Sequence, residues 1–386
     1  MSQPFAIADI PRTDWDRPPW NRWSFQHVGD ILPTAAIERG DARALLRAER
    51  DLDGLEVVGL DGRPTTLREF LEATFTDGFL VLRRGAIVYE RYFNGMDEGT
   101  LHLSQSLSKS FCGALAGILI GRGTLDPDAA VTDVLPELAP TAYRGATIRH
   151  LLDMTSGVRF SEDYTDPRSH MGRLDVASGW KPRPDDGGDW PATVFELILS
   201  LDAAEAEHGR RFAYRSIETD VLGFALEQVS GRRYPELLSE LLWQPLGMEQ
   251  DGLMTIDPSG FALADGGLNA CLRDYGRFGQ MILDGGAGIV PAEWIAATRN
   301  GDRSRFGAPY SDVLPGGAYR NQFWIEGPPH QAIMARGVFG QLIHIDWRHE
   351  TVVVKLSSWP DFVNPGWTRA TLAAVHAIGD ALSRSG

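Results

Sequence analysis

A serine and a lysine stand three residues apart in Ser104-Gln105-Ser106-Leu107-Ser108-Lys109-Ser110, directly ahead of the apolar run Phe111 to Ile120. The chain has only three lysines, Lys109, Lys181 and Lys355, and otherwise carries its positive charge on arginine. Arginine stays protonated in proteins, whereas a desolvated lysine can release its proton and act as a base. With helical spacing, positions i and i+3 share a face, so a helix over Ser106 to Ile120 brings Ser106 Oγ to Lys109 Nζ. A hydroxyl held by a lysine base is an activated nucleophile for acyl transfer. A capping serine followed by a solvated lysine gives the same letters. Here Leu107, Phe111, Leu115 and Ile118 make the helix too apolar for a surface position. Burial disfavours the charged ammonium, so the sequence predicts a Lys109 pKa below the ordinary lysine value.

Such a nucleophile needs a second proton handler and an oxyanion site. Tyr214, in Phe212-Ala213-Tyr214-Arg215-Ser216, offers a phenol just before a predicted helix over Glu218–Val229. In Arg336-Gly337-Val338-Phe339-Gly340-Gln341, glycines flank the start of an apolar strand, where a missing Cβ lets a backbone N–H approach a ligand. Taken singly, Tyr214 reads better as an ordinary helix-start tyrosine, and a plain β-bulge explains the second segment equally well.

The elements that must position these groups are legible from periodicity. Residues 1–35, rich in Pro and Trp, read as an irregular arm. Thr65–Phe75 has helical spacing, and Gly78 to Phe93 reads as a hairpin turning at Arg84-Gly85. A short helix is predicted over Thr147–Leu152, then a polar, aperiodic loop over 158–190. Loops that long in a compact chain are usually functional. Helices follow over Ala192–Leu201, Glu218–Val229, Glu236–Trp243, Leu272–Leu283 and Pro291–Thr298. Strands return over Gln322–Glu326, Gln331–Ala335, Gln341–Trp347 and Thr351–Ser357, and Arg369–Leu382 reads as a closing helix. Strands at both ends with helices between predict an α/β (α+β) body from 1–145 and 260–386, an antiparallel sheet flanked by helices. A mainly helical domain is inserted over 146–259, with 158–190 covering the substrate.

Bulk properties narrow the function. The 386 residues carry a formal net charge of −15 and show no basic stripe, which argues against a nucleic-acid footprint. No apolar run reaches the roughly 18–20 residues of a membrane span. Two cysteines, Cys112 and Cys271, make no disulfide framework. Together with a start that lacks a basic-then-apolar leader, these features predict a soluble cytoplasmic protein without cofactor or metal. Gly-x-Ser-x-Gly and His-Glu-x-x-His are both absent. His344, Asp346, His349 and Glu350 cluster on a strand and turn and read as surface polar groups rather than zinc ligands.

The order and spacing of the Ser106, Tyr214 and Gly337 segments resemble the penicillin-recognising serine hydrolases: class C β-lactamases, DD-peptidases and related carboxylesterases. Thr147-Ile148-Arg149-His150-Leu151-Leu152-Asp153-Met154-Thr155-Ser156-Gly157 is similar to a framework signature of that superfamily. Within it the chain looks like the nylon-oligomer hydrolases over nearly its whole length. This likeness rests on Asn21–His27, Ser106–Ser110, Glu162–Pro167, Tyr214–Ser216 with Glu218–Leu222, Gly260–Ala262 and Val354–Asp361.

The resemblance implies the serine β-lactamase/DD-peptidase-like fold, with Ser106 as nucleophile and Lys109 with Tyr214 as base and acid. It also implies the Ser106 and Val338 N–H groups as oxyanion hole, Tyr164 at the scissile nitrogen, and Asp175 and Asp265 lining the substrate. The implied reaction is hydrolysis of 6-aminohexanoate-type linear amides and short esters, and the same likeness implies a homodimer. Two departures stand out: Tyr-x-Asn is here Tyr214-Arg215-Ser216, and Lys-Thr-Gly is missing where Gly337-Val338-Phe339-Gly340 stands. Phe339 replaces a histidine of the nylon hydrolases and predicts a more apolar pocket. Two alternatives stay open: a general carboxylesterase with weak β-lactamase or DD-peptidase activity, and a non-catalytic binding protein on the same scaffold.

Overall fold

The computed structural model describes residues 6–384, so the first five residues of the predicted arm lie outside the described residues. Its spine is an eight-stranded sheet. In order across the sheet the strands are Ala318–Arg320, Phe323–Ile325, Ala332–Gly337, Gln341–Asp346, Thr351–Ser357, Thr76–Arg83, Ala86–Tyr92 and Leu46–Arg47. All neighbours are antiparallel except the last pair. Strands from residues 46–92 and from residues 318–357 thus share one sheet. The Arg84-Gly85 turn takes left-handed φ of 50° and 80° at its two residues, the twist a tight hairpin requires.

Side chains alternate across a strand, so each central strand feeds two apolar layers. From Thr76–Arg83, Leu80 and Leu82 join one core while Phe79 and Val81 join the other. From Thr351–Ser357, Val352, Val354 and Leu356 join the first and Val353 the second. The second layer is covered by Leu67–Ala73 and the closing helix Pro365–Arg384. The first is covered by Leu272–Leu283, whose Phe278 stacks on Phe111 of the motif helix at 3.7 Å between centroids.

The motif helix, Ser108–Gly121, is buried on nearly every side. Gly113 permits this depth, because a Cβ there would collide with the Asn321 carbonyl. A second sheet, Thr34–Ile37, Gly252–Thr255, Leu268–Ala270 and His102–Leu103, leads the chain into the Ser106 turn. Periodicity showed none of these short strands, nor the helix His170–Ala177 inside the segment predicted to be an aperiodic loop. No helix among the described residues is long and apolar enough to cross a membrane.

Candidate active site

Ser106 sits in a single 3₁₀ turn, Gln105–Leu107, and the α-helix begins only at Ser108. The predicted helix over Ser106 is therefore corrected to a turn. Its first residue, Gln105, takes a left-handed φ of 51°, a conformation uncommon for a residue with a Cβ. The i, i+3 relation nevertheless holds: Lys109 Nζ donates to Ser106 Oγ at 2.8 Å. A second Nζ hydrogen reaches the Asp265 carbonyl at 2.7 Å, and the Asp265 carboxylate lies 3.7 Å away.

Lys109 is only 1% exposed, yet its pKa is raised, which overturns the sequence expectation. Burial does push it down. The electrostatic field of Tyr214, Asp265, Glu162 and Asp220 outweighs burial and favours the ammonium. Asp265 is itself pushed up to about 6 by burial, against the pull of Lys109. Asp220 accepts from the Asp265 N–H at 3.1 Å, and burial with Asp265 alongside raises its pKa well above the carboxylate range.

Tyr214 lies just before the helix Ile217–Ser230, held by a hydrogen bond from its own N–H to the Tyr310 hydroxyl at 2.9 Å. Its ring faces the pair, with Lys109 Nζ 5.3 Å from the ring centre and Ser106 lining the same space; burial raises its pKa and Lys109 opposes the rise. Beneath the phenol Glu162 acts as a hub. It accepts from Tyr164 Oη at 2.7 Å, from the Ser216 N–H at 3.0 Å and from Ser216 Oγ at 2.5 Å. Arg215, the middle residue of the segment, points away and pairs with Glu205 at 2.7 Å and Glu218 at 3.4 Å.

Ser106, Tyr164 and Val338 line two adjoining spaces. The larger, about 560 Å³, is walled by Tyr214, Trp324, Arg336, Trp359, Phe362 and Leu372 among others. The smaller is walled by Asp175, Trp180, Ser216 and Asp265. Gly337 lets the strand Ala332–Gly337 run against the Ser106 turn, since a Cβ there would stand 2.7 Å from the Ser104 carbonyl oxygen. All seven residues singled out from sequence thus converge on one place. Asp175, on the helix His170–Ala177, is raised to about 7 by burial and by Asp16, with Lys181 opposing.

A serine, a lysine and a tyrosine brought together in this way can move a proton from hydroxyl to leaving group. Residues 65–377 match the family model Beta-lactamase. The chain belongs to the Beta-lactamase family. It is a serine hydrolase by that membership and by its relatives. It is 38% identical over 367 residues to a 6-aminohexanoate-dimer hydrolase of Paenarthrobacter ureafaciens, covering 93% of this chain and 91% of the other. It is 31% identical over 196 residues to Esterase EstB of Burkholderia gladioli, covering 48% of each. A solved structure of a candidate 6-aminohexanoate-dimer hydrolase from Bacillus anthracis superposes with a TM-score of 0.89 at 28% identity, covering 98% of both chains.

Within this Beta-lactamase family member, two further sequence expectations are corrected. Phe339 does not face either space. Its φ of 61° turns it into the core against Phe25 and Phe362, with centroids 5.1 and 4.6 Å away. The apolar wall comes instead from Trp324, Trp359 and Phe362. His344, Asp346 and His349 are buried rather than at the surface, because the strand Gln341–Asp346 lies mid-sheet and His349, in the turn after it, packs against Gly379 of the closing helix. His344 and His376 meet Glu326 at 3.2 and 3.1 Å, and His349 meets Asp346 at 2.6 Å. Glu326, His330 and His376 bring possible metal-ligand atoms within 4.8 Å of one another, but Glu326 is already committed to its histidines. Sequence reasoning missed Glu162, Asp220 and Trp324. Glu162 and Asp220 stand inside motifs quoted for the resemblance and could have been weighed there.

Proposed function

We propose that Ser106 is the nucleophile of a two-step acyl transfer that hydrolyses 6-aminohexanoate-type linear amides and short-chain esters. The observation that carries this reading is the 2.8 Å bond from Lys109 to Ser106, with the Tyr214 ring facing both across the same space. The Lys109/Tyr214 pair must first lose one proton, because the resting lysine is charged. Ser106 Oγ then attacks the carbonyl carbon while its proton passes to the pair. The N–H groups of Ser106 and Val338 stabilise the oxyanion, each contributing about 3–4 kcal/mol by analogy with other hydrolases. Tyr214 protonates the leaving nitrogen, Tyr164 positions it, and water repeats the sequence on the acyl-enzyme. Asp175 and Asp265 receive the substrate ammonium.

The substrate class is supported by the likeness to the Paenarthrobacter enzyme and by the carboxylates beside Ser106. Rates on p-nitrophenyl butyrate, nitrocefin and the linear 6-aminohexanoate dimer test it, with Ser106→Ala as control. The ester and the dimer should be cleaved, nitrocefin poorly, and the alanine variant should cleave none. Ester cleavage alone would favour a general carboxylesterase, a reading supported by the apolar wall of the larger space and the likeness to EstB. We further infer a cytoplasmic homodimer. The two buried free thiols, Cys112 and Cys271, support a reducing compartment, and light scattering tests the dimer.

A further inference from the structure

The two spaces that meet at Ser106 differ in charge. The smaller holds Asp175 and Asp265, whereas the larger holds Arg336. Arg336 lies near the end of the strand Ala332–Gly337, two residues before Val338, and is half-buried. Its guanidinium carbon stands 5.1 Å from the centre of the Trp324 ring, and Trp324 in turn stacks on Tyr214 at 5.2 Å. Among the described residues no ion pair or hydrogen bond engages this guanidinium. The carboxylate that acts on it most is Glu326, which is committed to His344 and His376. Glu162 lines the same space, but donors from Tyr164 and Ser216 occupy its oxygens. Asp312 and Arg369 stand at the exposed mouth. Burial lowers the Arg336 pKa to about 10, so it stays charged at neutral pH.

A partly desolvated cation without a counter-charge is costly, and a guanidinium stacked on an indole is a flat, oriented fork suited to a carboxylate. Tyr214 lines the Arg336 side and not the Asp175 side. We infer that Arg336 anchors a carboxylate on the leaving-group half of the substrate. The favoured amides and esters are then those whose departing amine or alcohol carries an acid group. This rests on the reading above that Tyr214 protonates the leaving group, which places that half in the larger space. Combined with the carboxylates on the acyl side, it gives the cavity a direction: ammonium at the acyl end, carboxylate at the leaving end. An oligomer of ω-amino acids fits in that direction, and one of reversed polarity does not.

The test separates charge from leaving-group reactivity. Hydrolysis of 4-carboxyphenyl butyrate and its neutral isostere 4-carbamoylphenyl butyrate is compared in the wild type, Arg336→Gln and Arg336→Lys. The ratio of kcat/KM, carboxylate over amide, should exceed one in the wild type. It should fall roughly 10–100-fold in Arg336→Gln, the loss of one charge-assisted contact, and less in Arg336→Lys. Cleavage of the neutral ester by the variants shows that they fold. An equal ratio in wild type and Arg336→Gln overturns the inference while leaving the hydrolase reading intact. Should the wild type cleave neither ester, the Ser106 reading falls, and calorimetric titration with hexanoate decides Arg336 alone. Hexanoate should bind the wild type and lose about tenfold or more in Arg336→Gln; equal binding, or none to either, overturns it.

Discussion

Replacing Asp265 by Asn removes the carboxylate nearest Lys109 while keeping the backbone carbonyl that accepts from Nζ. The Oδ2–Nζ distance is 3.7 Å. Two unit charges near that separation interact by about 4 kcal/mol at an effective permittivity of about 20. That corresponds to an upper limit of about 3 pKa units on Lys109. Asp265 is itself raised to about 6, and Glu162 and the Tyr214 phenol remain in place, so the retained share is smaller. We expect the Lys109/Tyr214 pair to lose its proton about 1–2 pH units lower in the variant. The sign is fixed: removing a negative charge disfavours the ammonium. Since kcat/KM reports the free enzyme, its rising limb on p-nitrophenyl butyrate between pH 6 and 9.5 is the readout, corrected for spontaneous hydrolysis. The Asp265→Asn limb should lie toward acid, so that below its plateau the variant is the faster enzyme per active site. A limb that stays in place, or moves toward alkali, would refute the view that a proton held on the lysine pair limits the resting enzyme.

Four further outcomes follow from the same geometry. Ser106→Ala should lose all turnover while keeping its melting temperature, and mass spectrometry should locate the trapped acyl group on Ser106 rather than on Ser104 or Ser108. Lys109→Arg should be as inactive as Lys109→Ala, because a guanidinium keeps the charge but cannot give up the proton; appreciable activity would make Lys109 an electrostatic support. Tyr214→Phe should damage amide turnover far more than p-nitrophenyl ester turnover, since only the amine leaving group needs protonation; equal losses would make Tyr214 a positioning group. Asp175, with its carboxyl near 7, should favour the cationic dimer over butyrate esters increasingly from pH 6 to 8 as it ionises; Asp175→Asn should flatten that trend and raise KM for the dimer.

What the sequence made legible were the features set by short-range geometry. The contact between Ser106 and Lys109 depends only on spacing within one turn, so it was readable although the helix begins two residues later than expected. The Thr76–Tyr92 hairpin and the helix Leu272–Leu283 carry long periodic patterns and were equally plain. The strands Gly252–Thr255 and Leu268–Ala270 are too short to show alternation, and they exist because they pair with each other and with neighbours far along the chain. The helix His170–Ala177 has a polar, mixed face that local pattern does not distinguish from loop.

The protonation state of Lys109 shows why electrostatics was the least legible layer. The rule that burial lowers a lysine pKa has the right sign here and is still outvoted. Its opponents are four residues from three separate segments: Glu162 from the covering loop, Tyr214 and Asp220 from either side of a helix start, and Asp265 from a turn. None of these is within fifty residues of Lys109, and each is an ordinary letter in its own context. Only the fold sums their fields at one nitrogen. The same holds for Glu326, whose two histidines arrive from a mid-sheet strand and the closing helix, and whose carboxyl is held far below its ordinary value once they meet, although burial alone would raise it. A serine–lysine spacing can therefore name the groups that exchange a proton. Which of them holds it at rest depends on long-range charge that no local window contains.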